Sequence, residues 1–313
     1  MFKRQLFLLV IIAMLSFITF NEAYSKQFRK SVIMDTTKTY KISTIDKSEF
    51  IGQFVKRDSE IITIKTISLA KFEIPISNIR KIDEIESPTY KNGEYWFENP
   101  NASRYFYSSS AINLREGEAY YQNTYVFLNS FGIGISDHLS VSGGIEFFTT
   151  VGSLGDDDFS PGYFVSPKLS FDVAENLHLG VGYFYSRMNT IFGNYRSGYL
   201  YGVATLGNKS SNYSLTIGWN GSRLDFNKEP IIGFSATMRV TKGVALITDN
   251  LVLPTYNINH YTHDSEIKYF PNFSYGIRFF GKKLAFDLAL INNPEIVQKS
   301  AIGYPLINFV INF

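Results

Sequence analysis

Large apolar residues stand at every second position in several short segments of this chain. The clearest segment carries them at Tyr213, Leu215, Ile217 and Trp219. The positions between them are small or polar: Ser214, Thr216, Gly218 and Asn220. Because successive side chains of a strand point to opposite faces, such a strand has one apolar face and one small, polar face. This pattern is typical of a membrane β-barrel, whose outer face meets lipid and whose inner face meets a crowded polar lumen.

The composition agrees with a barrel rather than with a bundle of membrane helices. The chain has 313 residues, of which 19% are charged and 16% aromatic, and its mean hydropathy is −0.05. A net charge of +2 gives no basis for a nucleic-acid partner. The absence of cysteine excludes a disulfide scaffold, a thiol nucleophile, a cysteine-ligated metal and a lipid-anchored cysteine. No cofactor is predicted.

The first 25 residues have the features of a secretory signal peptide. A basic pair, Lys3-Arg4, precedes an uncharged apolar run over residues 6–20. The sequence Ala23-Tyr24-Ser25 then places small residues at the −3 and −1 positions of a cleavage site before Lys26. The apolar run of about 15 residues is shorter than the roughly 20 that a membrane-spanning helix needs, which favours cleavage over an uncleaved anchor.

Three zones follow the signal peptide. Residues 26–86 alternate with period two, which predicts four or five short strands in a small β-barrel or roll. These residues follow the order of a strand, a charged turn, the sequence Phe-Ile-Gly-Gln-Phe-Val at 50–55, a second turn and another strand. This order resembles an Sm-like or SH3-like small barrel, in which Gly52 permits a sharp bend. Residues 87–102, which hold several Pro, Gly and Asn, predict a linker. Residues 103–313 predict the membrane barrel.

The last zone predicts twelve antiparallel strands. We place them near residues 103–111, 119–135, 138–150, 162–173, 177–188, 198–206, 211–220, 230–240, 243–250, 267–280, 283–291 and 301–313. Every second connection is tight: 136–137, 174–176, 207–210, 241–242 and 281–282. The others are longer: 112–118, 151–161, 189–197, 221–229, 251–266 and 292–300. Outer-membrane barrels combine short periplasmic turns with long outer loops, so we expect residues 26–86 on the periplasmic side.

The chain ends on Phe313, and Ile307, Phe309 and Ile311 share its face of the last predicted strand. This ending resembles the assembly signal of Gram-negative outer-membrane barrels, which implies a contact with the barrel-assembly machinery. A second block, within residues 96–147, comprises Trp96 to Pro100, Ser103 to Phe106 and Gly117 to Asn123. It resembles the opening of a family of uncharacterised outer-membrane proteins. That family supplies no known activity and no catalytic residues.

Strand parity predicts a set of charged residues that face the lumen: Glu146, Lys168, Asp172, Arg239, Arg278 and Asp287. Charges inside a barrel are tolerated because they pair with one another or meet water. Two interpretations compete: a narrow aqueous path, or a salt-bridged network that fills the lumen. The bulky inward residues Phe148, Phe184 and Phe280 favour a filled or very narrow interior.

The sequence contains no G-x-S-x-G motif, and His138 and His178 are interpreted as rim residues. His260, His263 and Asp264 lie with Glu266 in the longest predicted outer loop. They are weak candidates for a metal site or for a catalytic base, and a solvated polar loop is the better interpretation. The acidic run 156–158 could contribute to a calcium site, although such runs are more often plain solvated charge.

The sequence therefore predicts an all-β, non-enzymatic outer-membrane protein with a small periplasmic β-domain. The expected role is envelope-structural or that of a narrow channel. Three alternatives stay open: a porin-like channel for small solutes, an outer-membrane hydrolase that uses the His260/His263 loop, and a soluble β-sandwich adhesin. The expected partners are outer-membrane lipid and the assembly machinery, and a periplasmic partner of residues 26–86 stays open.

Overall fold

The computed structural model describes residues 35–313 except 47, 68–69, 86–88, 92–93, 148–149, 151–160, 191–192, 223–224, 259–264 and 300–301. The predicted signal peptide, residues 1–25, lies outside the described residues. The chain divides into two compact units, with the boundary between Phe97 and Glu98. Antiparallel strands make up most of the described residues of both units.

A five-stranded antiparallel sheet forms most of the first unit. Its strands are β1 (Thr39–Thr44), β2 (Glu49–Arg57), β3 (Ile61–Lys65), β4 (Lys71–Pro75) and β5 (Ile79–Ile85), in the spatial order β4-β3-β2-β1-β5. One turn of 3-10 helix, Ile76–Asn78, joins β4 to β5. Alternate residues of these strands point to one face, where Ile42, Ile62, Ile64 and Ile74 form a buried apolar cluster.

The segment predicted as a linker, residues 87–102, is more structured than expected. β6 (Thr89–Lys91) pairs with β7 (Glu94–Trp96) in a short hairpin. Further on, Asn99 and Asn101 are each only 1% exposed and belong to the second unit. Their side chains make buried hydrogen bonds, which a solvated linker would leave to water.

The second unit is a closed antiparallel barrel, with twelve strands in the part of the chain that the structure describes. They are β8 (Ala119–Thr124), β9 (Leu128–Gly134), β10 (Leu139–Glu146), β11 (Gly162–Ala174), β12 (Leu177–Thr190), β13 (Gly193–Gly207), β14 (Ser211–Ser222), β15 (Asp225–Thr241), β16 (Val244–Ile258), β17 (Ser265–Phe280), β18 (Leu284–Asn292) and β19 (Tyr304–Asn312). Each strand pairs with its sequence neighbours, and β19 pairs with β8 to close the wall. The predicted fold class is confirmed.

The two faces of the barrel wall differ as the alternation predicts. On β14, Tyr213, Leu215 and Ile217 are 51%, 60% and 45% exposed on the outside. Ser214 and Thr216, which lie between them, are 1% and 6% exposed. The outer surface is therefore apolar and the interior is lined by small polar side chains, which is the reverse of a soluble β-sandwich.

The prediction of a first strand at 103–111 is wrong. Residues 98–118 form an irregular segment inside the barrel, which we call the plug. The barrel wall surrounds this part of the plug, so the adjacent Tyr105 and Phe106 are both buried and period-two alternation does not apply to them. The predicted strand 119–135 is in fact the pair β8 and β9. The two errors offset each other, so the predicted count of twelve agrees with the structure.

The turn between β8 and β9 carries no turn signal in the sequence. Tyr125 and Val126 adopt φ values of +52° and +72°, which Gly and Asn favour and which a β-branched residue rarely adopts. Tyr125 is nevertheless fixed in place, because its hydroxyl donates to the Pro305 carbonyl and its ring stacks on Phe127 at 5.7 Å. Neighbouring contacts therefore hold this turn in a strained conformation.

The five tight connections fall between the strands that the sequence places around them, and they define what we call the short-turn end of the barrel. At the far end, three predicted loops are wrong because they are mostly strand. Within residues 189–197 and 221–229, β12 and β13 reach 190 and 193 and β14 and β15 reach 222 and 225; within residues 251–266, β16 reaches 258 and β17 begins at 265. Strand pairing runs to Thr190↔Gly193, Ser222↔Asp225 and Ile258↔Ser265 at the ends of these hairpins. The predicted outer loop 112–118 is instead the returning limb of the plug, at the short-turn end.

The barrel wall is not equally tall all the way round. β8, β9 and β10 have 6, 7 and 8 residues, and β18 and β19 have 9 each. β15 and β17, by contrast, have 17 and 16. The connection from β18 to β19 contains the short helix α1 (Pro294–Lys299). The seam where the chain closes the barrel therefore lies on the low side of the wall.

Candidate functional site

The plug enters and leaves the lumen at the short-turn end. At the entry, Lys209 Nζ donates to the Glu98 carboxylate at 2.8 Å, and Lys209 belongs to the turn between β13 and β14. At the exit, the Glu116 amide donates to the Asp137 carboxylate at 3.0 Å, in the turn between β9 and β10. Inside the barrel the two limbs meet at an isolated bridge between Arg104 and Ser109. The plug is thus a loop that turns round within the lumen.

One anchor of the plug is a fully buried ion pair in the wall. Arg278 on β17 donates from Nε and Nη2 to the two oxygens of Asp287 on β18, at 2.6 and 2.9 Å. The remaining donors of Arg278 reach the plug: Nη2 donates to the Tyr105 carbonyl at 2.8 Å, and Nη1 lies 3.3 Å from the Arg104 carbonyl. Both charged side chains are 0% exposed. The pair therefore neutralises itself and holds plug backbone at the same time.

The plug contributes a buried cation of its own. Arg104 donates from Nη1 to Gln122 Oε1 on β8 at 2.6 Å and from Nη2 to Asn101 Oδ1 at 2.9 Å. Its guanidinium lies 4.6 Å from the centre of the Tyr120 ring, in cation–π geometry. Arg104 thereby joins the entering limb of the plug to the wall beside the closing seam.

One carboxylate accepts hydrogen bonds from three successive amides at the tip of the plug. The backbone amides of Phe106, Tyr107 and Ser108 donate to Asp249 Oδ2 on β16 at 3.1, 2.9 and 2.9 Å. The other oxygen, Oδ1, accepts from Ser235 Oγ at 2.8 Å. Asp249 is 0% exposed. Three successive amides around one anion form a nest, and this nest satisfies a charge that would otherwise be costly to bury.

The opposite wall binds the plug through neutral groups and one lysine. The Tyr105 hydroxyl donates to Asn212 Oδ1 on β14 at 2.6 Å. Lys168 Nζ on β11 donates to the carbonyls of Ser110 and Ile112 at 2.6 and 3.2 Å. Together with Arg278 and Asp249, these contacts tie the plug to strands on several sides of the lumen.

Little space is left between the plug and the wall where these contacts lie. A cavity of about 20 Å³ lies beside Arg104, Tyr120 and Lys168, which is room for about one water molecule. A second cavity of about 90 Å³ lies at the entry, beside Glu98 and Lys209. The plug therefore occupies the lumen at the level of these contacts.

The predicted lumen charges fall into three groups. Lys168, Arg278 and Asp287 are buried and face the interior, where they contact the plug or one another. Arg239 is 6% exposed and donates to the Lys242 carbonyl at 2.6 Å, near the short-turn rim. The other two, Asp172 and Glu146, lie near the ends of their strands.

Asp172 lies at the short-turn rim rather than inside the lumen. Its side chain is 80% exposed, and its Oδ1 lies at hydrogen-bond distance, 2.5 Å, from His178 Nδ1. The second ring nitrogen of His178 lies 3.2 Å from the Gly207 carbonyl. The same end of the barrel carries His138, whose ring stacks on Phe171 with centres 5.2 Å apart.

Glu146 is the last residue of β10, where it pairs with Leu128 and Gly162. Of the bulky residues expected to fill the lumen, Phe184 stacks on Phe164 with ring centres 5.3 Å apart, and Phe280 is 6% exposed beneath Arg239. Phe148 lies outside the described residues.

Sequence reasoning missed the plug and Asp249. Asp249 lies in the predicted strand 243–250 and shares its parity with the buried Ala245 and Ile247, so parity alone could have found it. The plug had no comparable signal, because its amides bind through backbone atoms that every residue carries.

The other candidate sites are only partly covered by the structure. His260, His263, Asp264 and the acidic run 156–158 lie outside the described residues, whereas Glu266 pairs with Asn257 on the long hairpin of β16 and β17. Among the residues that the structure does describe, no three His, Asp or Glu side chains come together as a metal site. Within the same residues, no helix is long and apolar enough to cross a membrane.

The C-terminal residues form the closing strand of the barrel. Ile307, Phe309 and Phe313 are 40%, 42% and 53% exposed on the outer surface. Ile311 lies on the same face by parity and pairs with Tyr121 and Leu284. The Phe313 amide donates to the Ala119 carbonyl at 2.8 Å, which ties the end of the chain to the start of β8.

Fold and site together define a twelve-stranded antiparallel barrel with an apolar outer wall and an internal plug supplied by its own chain. No family model and no curated protein matches the sequence. The resemblance of residues 96–147 to a family therefore stays a prediction.

Solved structures share the barrel architecture at low similarity. The structure titled KdgM porin is 7% identical with a TM-score of 0.40, covering 62% of this chain and 96% of its own. NanC porin is 7% identical with a TM-score of 0.39, covering 62% and 97%. LpxR from Salmonella typhimurium is 11% identical with a TM-score of 0.33, covering 63% and 99%. These values give no information about what the present chain binds or does.

Proposed function

We propose that this protein is an outer-membrane β-barrel that is closed at rest by its own plug, with an envelope-structural role and conduction only when the plug is displaced. The observation that carries the proposal is the nest of three plug amides on the buried Asp249 carboxylate. A plug held in this way occupies the path that a solute would take.

Placement in an outer membrane is supported by the wall. Its outer face is apolar along strands of 12 to 17 residues from β11 to β17. About ten residues at ~3.3 Å each, tilted by ~40°, rise about 25 Å, which is the height of the apolar band of outer-membrane barrels. Short turns are typical of the periplasmic end of such barrels. Since Glu98 enters at the short-turn end, we infer that residues 26–97 are periplasmic.

The first unit is proposed to be an SH3-like module. The strand order β4-β3-β2-β1-β5 and the 3-10 turn between β4 and β5 support this assignment. Its exposed charges are partly paired, as in the contact of 2.6 Å between Lys38 and Glu84. We propose a periplasmic protein or cell-wall contact for it, and no RNA partner.

Conductance in planar bilayers tests the closed state. The full chain is expected to be silent or nearly so, and a variant in which residues 101–112 are replaced by a Gly/Ser linker is expected to conduct in discrete steps. Heat-modifiable migration in mild detergent electrophoresis shows whether each variant forms a barrel. Steady conductance of the full chain that the replacement leaves unchanged would support the porin-like alternative and overturn the plug. Recovery of the mature chain as a soluble periplasmic protein would overturn the placement.

A further inference from the structure

The outer surface of β12 changes from apolar to cationic toward the far end. Leu179 and Val181 are 43% and 48% exposed to the outside, and Tyr183, Tyr185 and Arg187 follow on the same face. Pairing of β12 with β13 is regular from Leu177↔Leu206 to Thr190↔Gly193, so the alternation is unbroken up to Arg187. From Val181 to Arg187 the strand rises roughly 15 Å along the barrel axis, which takes the surface from the apolar band to headgroup depth.

Arg187 has a second arginine directly opposite it. In the register of β12 and β13 its partner is Arg196, which is exposed on the same outer face. Directly opposed residues of one face have Cβ atoms about 5 Å apart. Two arginines in that position can reach the same anion, and phosphate is the group that the arginine fork matches best.

Three tyrosines lie beside or below the two arginines on the same outer face. Tyr163 on β11 pairs with Arg187, and its ring lies 6.2 Å from the Tyr185 ring. The Tyr183 hydroxyl lies against Gly198 so closely that a Cβ at that position would overlap it. Gly198 therefore lets the Tyr183 ring lie along the wall. Tyrosine rings favour the membrane–water boundary, where one side is apolar and the hydroxyl is wet.

We propose that these residues, the arginine–tyrosine patch (Tyr163, Tyr183, Tyr185, Arg187 and Arg196), bind the phosphate group of an anionic lipid in the outer leaflet. The inference rests on the proposed membrane placement, because it takes the far end as the outer end. The guanidinium groups of Arg187 and Arg196 hold the phosphate oxygens, and the tyrosines contact the start of the acyl chains. Free phosphate shares this chemistry, and the experiment separates the two sources.

Native mass spectrometry of the full chain, released from detergent after incubation with phosphatidylcholine, lipid A or inorganic phosphate, tests the patch. We expect retention of lipid A in preference to phosphatidylcholine. The double variant Arg187→Gln/Arg196→Gln is expected to weaken lipid A retention at least about tenfold, as the loss of charge-assisted bonds implies. The matched control, Lys242→Gln/Lys283→Gln, removes the same charge at the opposite rim and is expected to retain lipid A.

Equal weakening in both double variants overturns the patch, because the effect would then be one of net charge. Undiminished lipid A retention by the arginine variant overturns it as well. Retention of inorganic phosphate without preference for lipid A overturns the assignment to a lipid. All four substitutions lie outside the plug. If the lipid-binding proposal fails, the full chain is therefore still expected to show no conductance in planar bilayers. If the proposed function fails, the full chain instead conducts, or the mature chain is recovered as a soluble protein.

Discussion

Arg278 and Asp287 lie opposite one another on β17 and β18, and two hydrogen bonds of 2.6 and 2.9 Å join them with no exposure to solvent. Asn308 Nδ2 on β19 donates to the same carboxylate at 3.1 Å. The pair thus links three adjacent strands near the seam to the backbone of the plug. The same two side chains therefore join the wall and contact the plug.

Removal of the Asp287 charge is expected to destabilise the barrel strongly. Asp287→Asn leaves Arg278 as a buried cation without its counter-ion, which typically costs about 3–5 kcal/mol. Urea titration followed by heat-modifiable migration measures the loss. Asp172→Asn is the matched control, because the Asp172 side chain is 80% exposed and its loss is expected to cost under about 1 kcal/mol. Equal effects of the two variants would contradict the role of the buried pair.

Asp249→Asn is expected to loosen the tip of the plug without unfolding the wall. The amide side chain keeps the shape of the carboxylate but removes the charge that three amides share, at a cost of about 1–3 kcal/mol. Hydrogen exchange of the Phe106, Tyr107 and Ser108 amides is expected to become faster, and brief channel openings to become detectable. Ser235→Ala removes one bond to the other oxygen and is expected to have a smaller effect. Unchanged exchange at the three amides would show that the nest does not hold the tip.

Relief of the strained turn is expected to stabilise the barrel. Val126 has φ +72° and is 83% exposed, so Val126→Gly removes an unfavourable backbone conformation and exposed apolar surface at once. The gain is expected to be roughly 1 kcal/mol and to raise the urea midpoint. Val126→Ala, which keeps a Cβ at positive φ, serves as the control and is expected to gain less. A lower midpoint for Val126→Gly would refute the strain.

A methyl group at Gly134 is expected to displace the returning limb of the plug. A Cβ there would overlap the backbone carbonyl of Arg115, which cannot move aside as a flexible side chain can. Gly134→Ala is therefore expected to expose the bond after Arg115 to trypsin. At Gly202, by contrast, the nearest atom to an added Cβ is the Gly180 carbonyl at 4.0 Å, so Gly202→Ala is expected to leave cleavage unchanged. Resistance of Gly134→Ala to trypsin would contradict the close approach.

Acid is expected to release the entry of the plug. Burial by itself raises the pKa of the Glu98 carboxyl, but Lys209 and Arg115 outweigh it and hold that pKa below its usual value. A carboxyl with a lowered folded-state pKa contributes stability above its unfolded pKa, and that stability is lost as the pH falls through the folded value. Hydrogen exchange at residues 98–102 is therefore expected to rise below about pH 4. Glu98→Gln is expected to show fast exchange at every pH, and a flat wild-type profile would exclude the anchor.

The barrel was predictable because its physics repeats along the chain. In β14, the side chains of Leu215 and Ile217 point outward and those of Ser214 and Thr216 point inward. Each successive pair of residues therefore shows the same alternation of apolar and polar side chains. The plug could not be predicted in this way. Its key contacts are backbone amides at 106–108 and carbonyls at 104 and 105, and a sequence does not encode which backbone groups a distant Asp249 will meet. The Tyr-Phe pair at 105–106 is predicted as part of a strand because aromatic residues occur in barrel strands as well as in the buried plug.

In the proposed outer-membrane placement, the low side of the wall affects the surrounding lipid. Six residues of β8 rise only about 15 Å when tilted by ~40°, while the 17 residues of β15 exceed the ~25 Å thickness of the apolar core. A bilayer around such a lopsided cylinder has to thin beside β8 and β9, or the whole barrel has to lean. Either adjustment costs fractions of a kcal/mol per ångström of mismatch. In either case the lipid next to the seam and the lipid on the opposite side of the barrel are in different surroundings.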